Sequence, residues 1–487
     1  MTVSAAHTNS DDQLPLLSPA SDRIDRTKPN PLPKLQICAL LLSVLIEPIA
    51  SQCIYPFINQ LVREIDITGG DETKVGYYAG MIESLFFATQ AMTVLQWSRA
   101  SDHIGRKPVL LLGVFGLSIS MFCFGLSRTF TGLVLSRCIT GALNGNIGVM
   151  KSMLGELTDS TNMAQGLSLL PIAWSVGMTV GPVIGGTLAR PQDNFPRLFS
   201  SPFWAQFPYF LPCGVTAGFS LLTFGATLLF LKETLPPRAT PEKHHSSVDR
   251  EASGHEISYG TVNQQTPPSD APIPLSELLS APRVLRIANY GVLAALEIAV
   301  YSLQPLFYST PIEYGGLGFT PMQIGLWMAC FGICNGLFQA VCFAPLVYRL
   351  GPKTLLRIGH LCFIPLFSLF PIINWIAQQC GLNWLVWVAL ICHLGLTIIM
   401  DMSFSCILMY ITAAAPNRRC LGALNGVAQT TASIVRAVGP ASATSLFAYS
   451  IQHNFMGGYG VYIILVLGTI ATMPLCAMLP DDVAERC

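Results

Sequence analysis

Residues 102–113 read DHIGRKPVLLLG, and residues 348–359 read YRLGPKTLLRIG. The two stretches align without a gap. Gly105 falls on Gly351, Lys107 on Lys353 and Gly113 on Gly359, at one constant offset (351 − 105). Each stretch is a short polar link between two long apolar runs. The first lies between YYAGMIESLFFATQAMTVLQW and PVLLLGVFGLSISMFCFGLS. A Gly-Pro pair also recurs, as Gly181-Pro182 and Gly439-Pro440. An apolar unit that repeats once along a chain points to duplication, the pattern of paired six-helix membrane halves.

The composition agrees with that reading. Hydrophobic residues make up 51% of the 487, charged residues only 11%. Mean hydropathy is +0.51. A soluble domain carries about 25% charged residues. Runs of about 20 apolar residues, enough to cross about 30 Å of hydrocarbon as a helix, recur along the chain. Twelve spans are expected, near 35–59, 75–97, 108–127, 130–150, 163–189, 207–231, 284–310, 322–346, 354–376, 384–411, 421–449 and 457–479. The fold class is therefore all-α and polytopic, with twelve transmembrane helices in two pseudo-symmetric six-helix bundles. The expected organisation is a disordered tail (1–34), a first bundle (35–231), a polar linker (232–283), a second bundle (284–480) and a short tail (481–487).

Net charge is zero, so no overall basic field favours nucleic acid. The 15 cysteines are scattered through apolar runs without a CxxC, as expected of small apolar packers. No metal site is expected, and the histidine pair His244-His245 in the linker is a weak signal. Basic residues concentrate in alternate short loops: Arg99, Arg106, Lys107, Lys151, Arg349, Lys353, Arg357, Arg418 and Arg419. The positive-inside rule then places those loops, both termini and the linker in the cytoplasm. The stretch Asp12–Leu17 fits an acidic dileucine pattern, which keeps a vacuolar or endosomal membrane open beside the plasma membrane.

Several charges fall inside apolar spans: Glu47, Glu83, Arg137, Glu297, Asp401 and Arg436. A charge at mid-bilayer costs at least about 2.5–3.5 kcal/mol, so such residues face a cavity or a partner. Glu47 and Asp401 are the candidates for proton or cation-substrate ligands. Glu83, Arg137 and Glu297 are candidate pathway residues. Glu83 can also brace helices, and Arg137 can serve a structural pair. Arg436, three residues before Gly439-Pro440, reads as structural. Gly177, Gly181 and Gly185 recur every four residues and line one helix face. That face admits a close neighbour, and Pro182 removes a backbone donor and bends the helix. The expected contact is a kinked, close-packed one between the halves.

Three motifs resemble those of the major facilitator superfamily. They are Asp102-x-x-Gly105-Arg106-Lys107, Arg137-x-x-x-Gly141, and GMTVGPVIGG at 177–186 with Gly186 at its end. With GALNGNIGVMKSMLGELTD (141–159) and LARPQDNFP (188–196), the chain is similar to fungal drug:proton antiporter-type and zinc-induced facilitator-like members. The resemblance covers about 35–480. It implies a loop latch at Asp102, Gly105, Arg106 and Lys107, and a role in proton coupling for Arg137. It also implies an antiporter-type motif at Gly177, Gly181, Pro182, Gly185 and Gly186. Ser98 stands where the family's loop motif opens with Gly, and His103 stands where it has Arg or Lys. In the second half Tyr348 and Pro352 replace the Asp and Arg places. The paired-cysteine motifs of plant zinc-induced facilitator-like proteins are absent.

The expected function is proton-coupled export of a small organic molecule (a drug, toxin or secondary metabolite) by antiport through alternating access, with a monomer in the bilayer and no cofactor. No phosphate-binding GxxxxGK[ST] is present to support ATP-driven pumping. A proton-coupled importer of a nutrient or chelate on the same fold, and a non-transporting sensor, are the alternatives. No nucleophile pairs with a base in the spans, so an enzyme is not expected.

Overall fold

The computed structural model describes residues 31–158, 162–235, 280–414 and 418–481. The Asp12–Leu17 stretch, His244-His245 and most of the expected linker lie outside the described residues. Twelve membrane-length helical elements follow one another. The first half holds α1 (Lys34–Ile54), α2 (Val75–Ile104), α3 (Arg106–Leu126), α4 (Phe130–Leu143 and then Asn146–Leu157), α5 (Met163–Leu188) and α6 (Phe210–Phe230). The second holds α7 (Ala281–Ser309), α8 (Pro321–Leu350), α9 (Pro352–Cys380), α10 (Trp384–Ala413), α11 (Arg418–Gln452) and α12 (Gly460–Ala477).

Among the described residues, nine helices are long and apolar enough to cross a membrane on composition alone. The other three elements, α2, α4 and α11, carry Glu83, Arg137 and Arg436. Of these, α4 is interrupted into segments of 14 and 12 residues, each too short to cross alone.

The repeat seen in the sequence is also a repeat of geometry. One residue, Gly105, separates α2 from α3, with φ of 111°. One residue, Gly351, separates α8 from α9, with φ of 77°. Both need the left-handed freedom that glycine has. The polar link at 102–107 is therefore hardly a loop. Asp102 lies in the last turn of α2, which ends at Ile104, and Arg106 and Lys107 open α3.

Two span boundaries need correction. The first helix stops at Ile54, and a separate short helix, Ile58–Glu64, follows the Tyr55-Pro56 turn. Pro56 has no N–H to continue the helical ladder, and the chain turns there although Tyr55 before it keeps helical dihedrals. The fourth span breaks at Asn144-Gly145 and resumes to Leu157. Lys151 consequently lies within a helix and not in a loop.

Each half is built the same way. In the first, α1 packs on α5 and α6; in the second, α7 packs on α11. The halves meet along α5 with α8 and α2 with α11. Small residues make both contacts close. A Cβ at Gly186 would sit 2.5 Å from the Pro321 carbonyl oxygen and 2.9 Å from Gly325 Cα. A Cβ at Gly80 would sit 3.0 Å from the Pro440 carbonyl oxygen and 3.1 Å from Ala441 Cα. Arg63 adds a tie across the halves by donating from Nη2 to the Ser309 carbonyl at 3.0 Å. All of these contacts lie at the end opposite Gly105 and Gly351, so that end is closed.

The glycine stripe of α5 has a different partner from the one expected. Gly177, Gly181 and Gly185 face α1, against Pro48, Ile49, Gln52 and Cys53 of the same half. The stripe that meets the other half is the next one round the helix. It runs Ser175, Thr179, Pro182, Gly186, against Gly336, Gly332 and Gly325 of α8. Gly439 and Pro440 repeat the arrangement on α11. Gly439 faces Ile298 of its own half, while the Pro440 carbonyl faces Gly80 across the interface. The helix α5 stays continuous through Pro171 and Pro182.

Candidate functional site

The acidic side chains of the spans fall into three settings between the helices. On α1, Glu47 accepts from Asn144 Nδ2 at 2.7 Å, and its Oε2 is buried with no partner among the described residues. The break in α4 matters here, because Asn144 is the cap residue that closes the first segment. On α10, Asp401 accepts from Tyr301 Oη at 2.8 Å and from Asn335 Nδ2 at 2.8 Å. The expected pair, Glu47 and Asp401, thus share one chemistry on opposite halves. Each carboxyl is held by neutral donors, with no ion pair among the described residues. Such a group can take up or release a proton without breaking a salt bridge.

Glu83 has a bridging geometry. It accepts from Tyr55 Oη and, across the interface, from Ser302 Oγ of α7 at 3.0 Å. Its neighbour Ser84 accepts from the Ala441 backbone N–H of α11 at 2.9 Å. Arg137 is buried, with its guanidinium carbon 4.6 Å over the Phe86 ring and within electrostatic reach of Glu83. Tyr55, Glu83, Arg137, Ser302 and Thr444 line a cavity of about 30 Å³, room for about one water.

Arg436 occupies the centre. It donates from Nη2 to Glu297 at 2.9 Å and lies 5.6 Å over the Phe404 ring. Glu47, Tyr55, Lys151 and Tyr301 all fall within its electrostatic reach. Glu297 in turn lies within reach of Asp401. The structure therefore makes one charge network from residues of both halves. Arg436, read from sequence as a packing residue, is its hub. A separate apolar crevice of about 590 Å³ lies between α1 and α5, past Leu41, Leu45, Ile172 and Val176, and none of the network residues lines it.

The polar link is organised within the first half. Arg106 pairs with Glu156 at the end of α4, Nη2 to Oε1 at 3.3 Å, and donates from Nη1 to Ser101 Oγ at 2.7 Å. Glu156 also accepts from Thr234 Oγ1. Glu233, just past α6, accepts from the backbone N–H groups of Arg106 at 2.9 Å and Lys107 at 3.0 Å. It occupies the N-terminus of α3, where the helix dipole favours an anion, while the side chain of Asp102 lies outside the described residues. A Cβ at Gly105 would come within 2.5 Å of Glu233 Oε2, a second reason for glycine there. Lys107 Nζ reaches the Leu228 carbonyl at 2.9 Å.

Burial pushes the Glu233 carboxyl up, but the N–H groups of Leu235, Arg106, Lys107 and Thr234 outweigh it and hold the group below its usual range. A lowered carboxyl stabilises the fold above its ordinary value of about 4.3 and loses that contribution as pH falls through the folded value. Glu233→Gln is therefore expected to cost no more than about 0.5 kcal/mol at pH 7, because the carboxylate is exposed and screened by solvent. The gap to the parent should shrink when thermal unfolding is repeated below about pH 4. An equal gap at both pH values would mean that the charge does not anchor α3.

Sequence reading missed Asn144, Asn335, Glu156, Glu233 and Lys151. The first two are neutral amides whose partners lie 97 and 66 residues away. The three charged residues looked like ordinary loop or helix-end charges.

A family model described as Major Facilitator Superfamily matches residues 40–440. The efflux pump azaK of Aspergillus niger is 30% identical over 444 residues, which cover 90% of this chain and 87% of that protein. Protein ZINC INDUCED FACILITATOR 1 of Arabidopsis thaliana is 31% identical over 427 residues, covering 86% and 85%. A crystal structure of a D-xylose-proton symporter covers 93% of this chain and 99% of its own, with a TM-score of 0.66 at 14% identity. At that identity the likeness is one of fold alone.

Proposed function

The chain belongs to the major facilitator superfamily, a family of membrane transporters and not of enzymes, and from that premise we propose that it exports a small organic molecule in exchange for protons. The observation that carries the reading is the pair Glu47 and Asp401. One carboxyl in each half, held by amide and hydroxyl donors, stands within the network around Arg436. A proton gained at either site changes the charge of the network and so the balance between conformations. The two halves then alternate in exposing the site. The efflux-pump relative supports the outward direction.

The basic links at Gly105 and Gly351 belong in the cytoplasm by their charge. The closed end is then external, and this conformation is open inward. In it Arg106 is engaged within the first half. A latch acting across the halves at this end would form in the opposite conformation. The plasma membrane is the expected site.

The test is proton flux in proteoliposomes with a trapped pH-sensitive dye, an imposed pH gradient and candidate solutes added singly. The expected result is solute-dependent collapse of the gradient with protons moving opposite to the solute. Asp401→Asn should reduce that flux at least about 100-fold, the scale of losing a proton-transfer group, while leaving the protein folded. Co-directional movement of proton and solute would replace export by import on the same fold. Full flux in Asp401→Asn would remove Asp401 from the proton path.

A further inference from the structure

Lys151 stands midway along the second segment of α4. Among the described residues it has no hydrogen-bond or ion-pair partner. Its side chain is exposed, and the helix face around it is clear. A Cβ at Gly148, three residues before, or at Gly155, four residues after, would meet nothing within 4 Å. Residues at these spacings share one face of a helix. Meanwhile Val149, Met150, Met153 and Leu154, on the other side of the segment, are buried.

That open face looks toward the second half. Lys151 lies within electrostatic reach of Arg436 on α11, so two cations from opposite halves border one space. Arg436 spends Nη2 on Glu297, and a guanidinium has five N–H donors in all. The carboxylates within reach of Arg436 are Glu297, already paired, and Glu47, held by Asn144. Neither forms an ion pair with Lys151 among the described residues. Exposed on its open helix face, the Lys151 ammonium can be reached by a mobile anion without displacing a protein partner. A mobile oxyanion entering the space would meet both cations at once, in the charge-assisted geometry that is strongest.

We propose that Lys151 and Arg436 form an anion-binding subsite, so that the molecule carried bears a carboxylate, phosphate or sulfonate group. This rests on the transporter reading above and narrows it to organic anions and zwitterions. Lys151 contributes from the first half and Arg436 from the second. The anion therefore bridges the halves, and its arrival or departure is felt by both.

The test is equilibrium binding without any gradient. Purified full-length protein in lipid-free detergent is titrated with carboxyfluorescein, and with a tetramethylrhodamine ester of similar size but opposite charge, and read by fluorescence anisotropy. The expected result is binding of the anion in preference to the cation. Lys151→Gln should weaken the anion about tenfold or more, with the cation unchanged, as for loss of one charge-assisted contact. Lys151→Arg should restore binding to within about threefold of the parent. The proposal is overturned if the cation binds as well as the anion, or if Lys151→Gln binds the anion as tightly as the parent does. It is also overturned if the variant loses only co-purifying anionic phospholipid, which would assign the lysine to the lipid surface. Because binding is read without a proton gradient, failure of antiport leaves this result standing, and failure here leaves the proton-flux test intact.

Discussion

Gly325→Val is expected to open the closed end of the protein. A Cβ at this position would overlap the Pro182 carbonyl and lie 2.8 Å from Gly186 Cα and 3.2 Å from Gly186 N. All three obstacles are backbone atoms of α5, so no rotamer change relieves them. Overpacking of this kind costs about 1–3 kcal/mol, which shifts a two-state equilibrium by about 5- to 150-fold. The halves can avoid the clash by separating along α5 and α8, which is the movement alternating access requires. Spin labels at Leu198 and Tyr314, both exposed at this end, should therefore report a longer distance in the variant than in the parent. Transport should fall, because one of the two end conformations is disfavoured. Gly225→Ala, where a Cβ meets nothing within 4 Å, is the matched control and should change neither. If the Leu198–Tyr314 distance stays put in Gly325→Val, the α5–α8 contact is not the stop that holds this end shut.

The positions involved show what a single sequence does and does not reveal. The glycines at 105 and 351 were legible as a repeat because both lie at the same place in an apolar pattern. Their positive φ values follow from the same one-residue turn in each half. The stripe Gly177, Gly181, Gly185 was legible as a close contact, since spacing by four defines a face. Its partner was not, because spacing carries no information about which helix comes near. The stripe faces α1, and Gly186, one residue further round, meets α8. Arg436 looked structural for a related reason. Its meaning comes from Glu297, 139 residues away, and from side chains of the other half. Lys151 was lost to a boundary placed at residue 150, when the helix runs on to Leu157, which turned a helix residue into a loop charge. Local periodicity thus fixed the twelve elements, while the site depends on which elements the fold brings together.

The Glu297–Arg436 pair allows stability and transport to be separated. Their side chains are 14% and 22% exposed, and they meet at 2.9 Å. Arg436→Gln leaves a carboxylate among apolar helices without its counter-charge, at an expected cost of about 2–4 kcal/mol, at or below the range for a fully buried pair. Glu297→Gln leaves the reverse defect, a guanidinium lacking its anion, and should cost a similar amount. In the double variant the uncompensated charge is gone from both helices. Replacing a buried pair by neutral groups is often close to neutral for stability, so the two losses should not add. Thermal unfolding of the four proteins in detergent is expected to show both singles destabilised and the double returned to near the parent. Transport is expected to stay lost in the double, since the hub within reach of Glu47, Lys151 and Tyr301 has been removed. A double variant that regains transport together with stability would reduce the pair to a structural clamp between α7 and α11. A double that regains stability alone places Arg436 in the transport cycle, because neither folding nor an uncompensated charge then explains the loss.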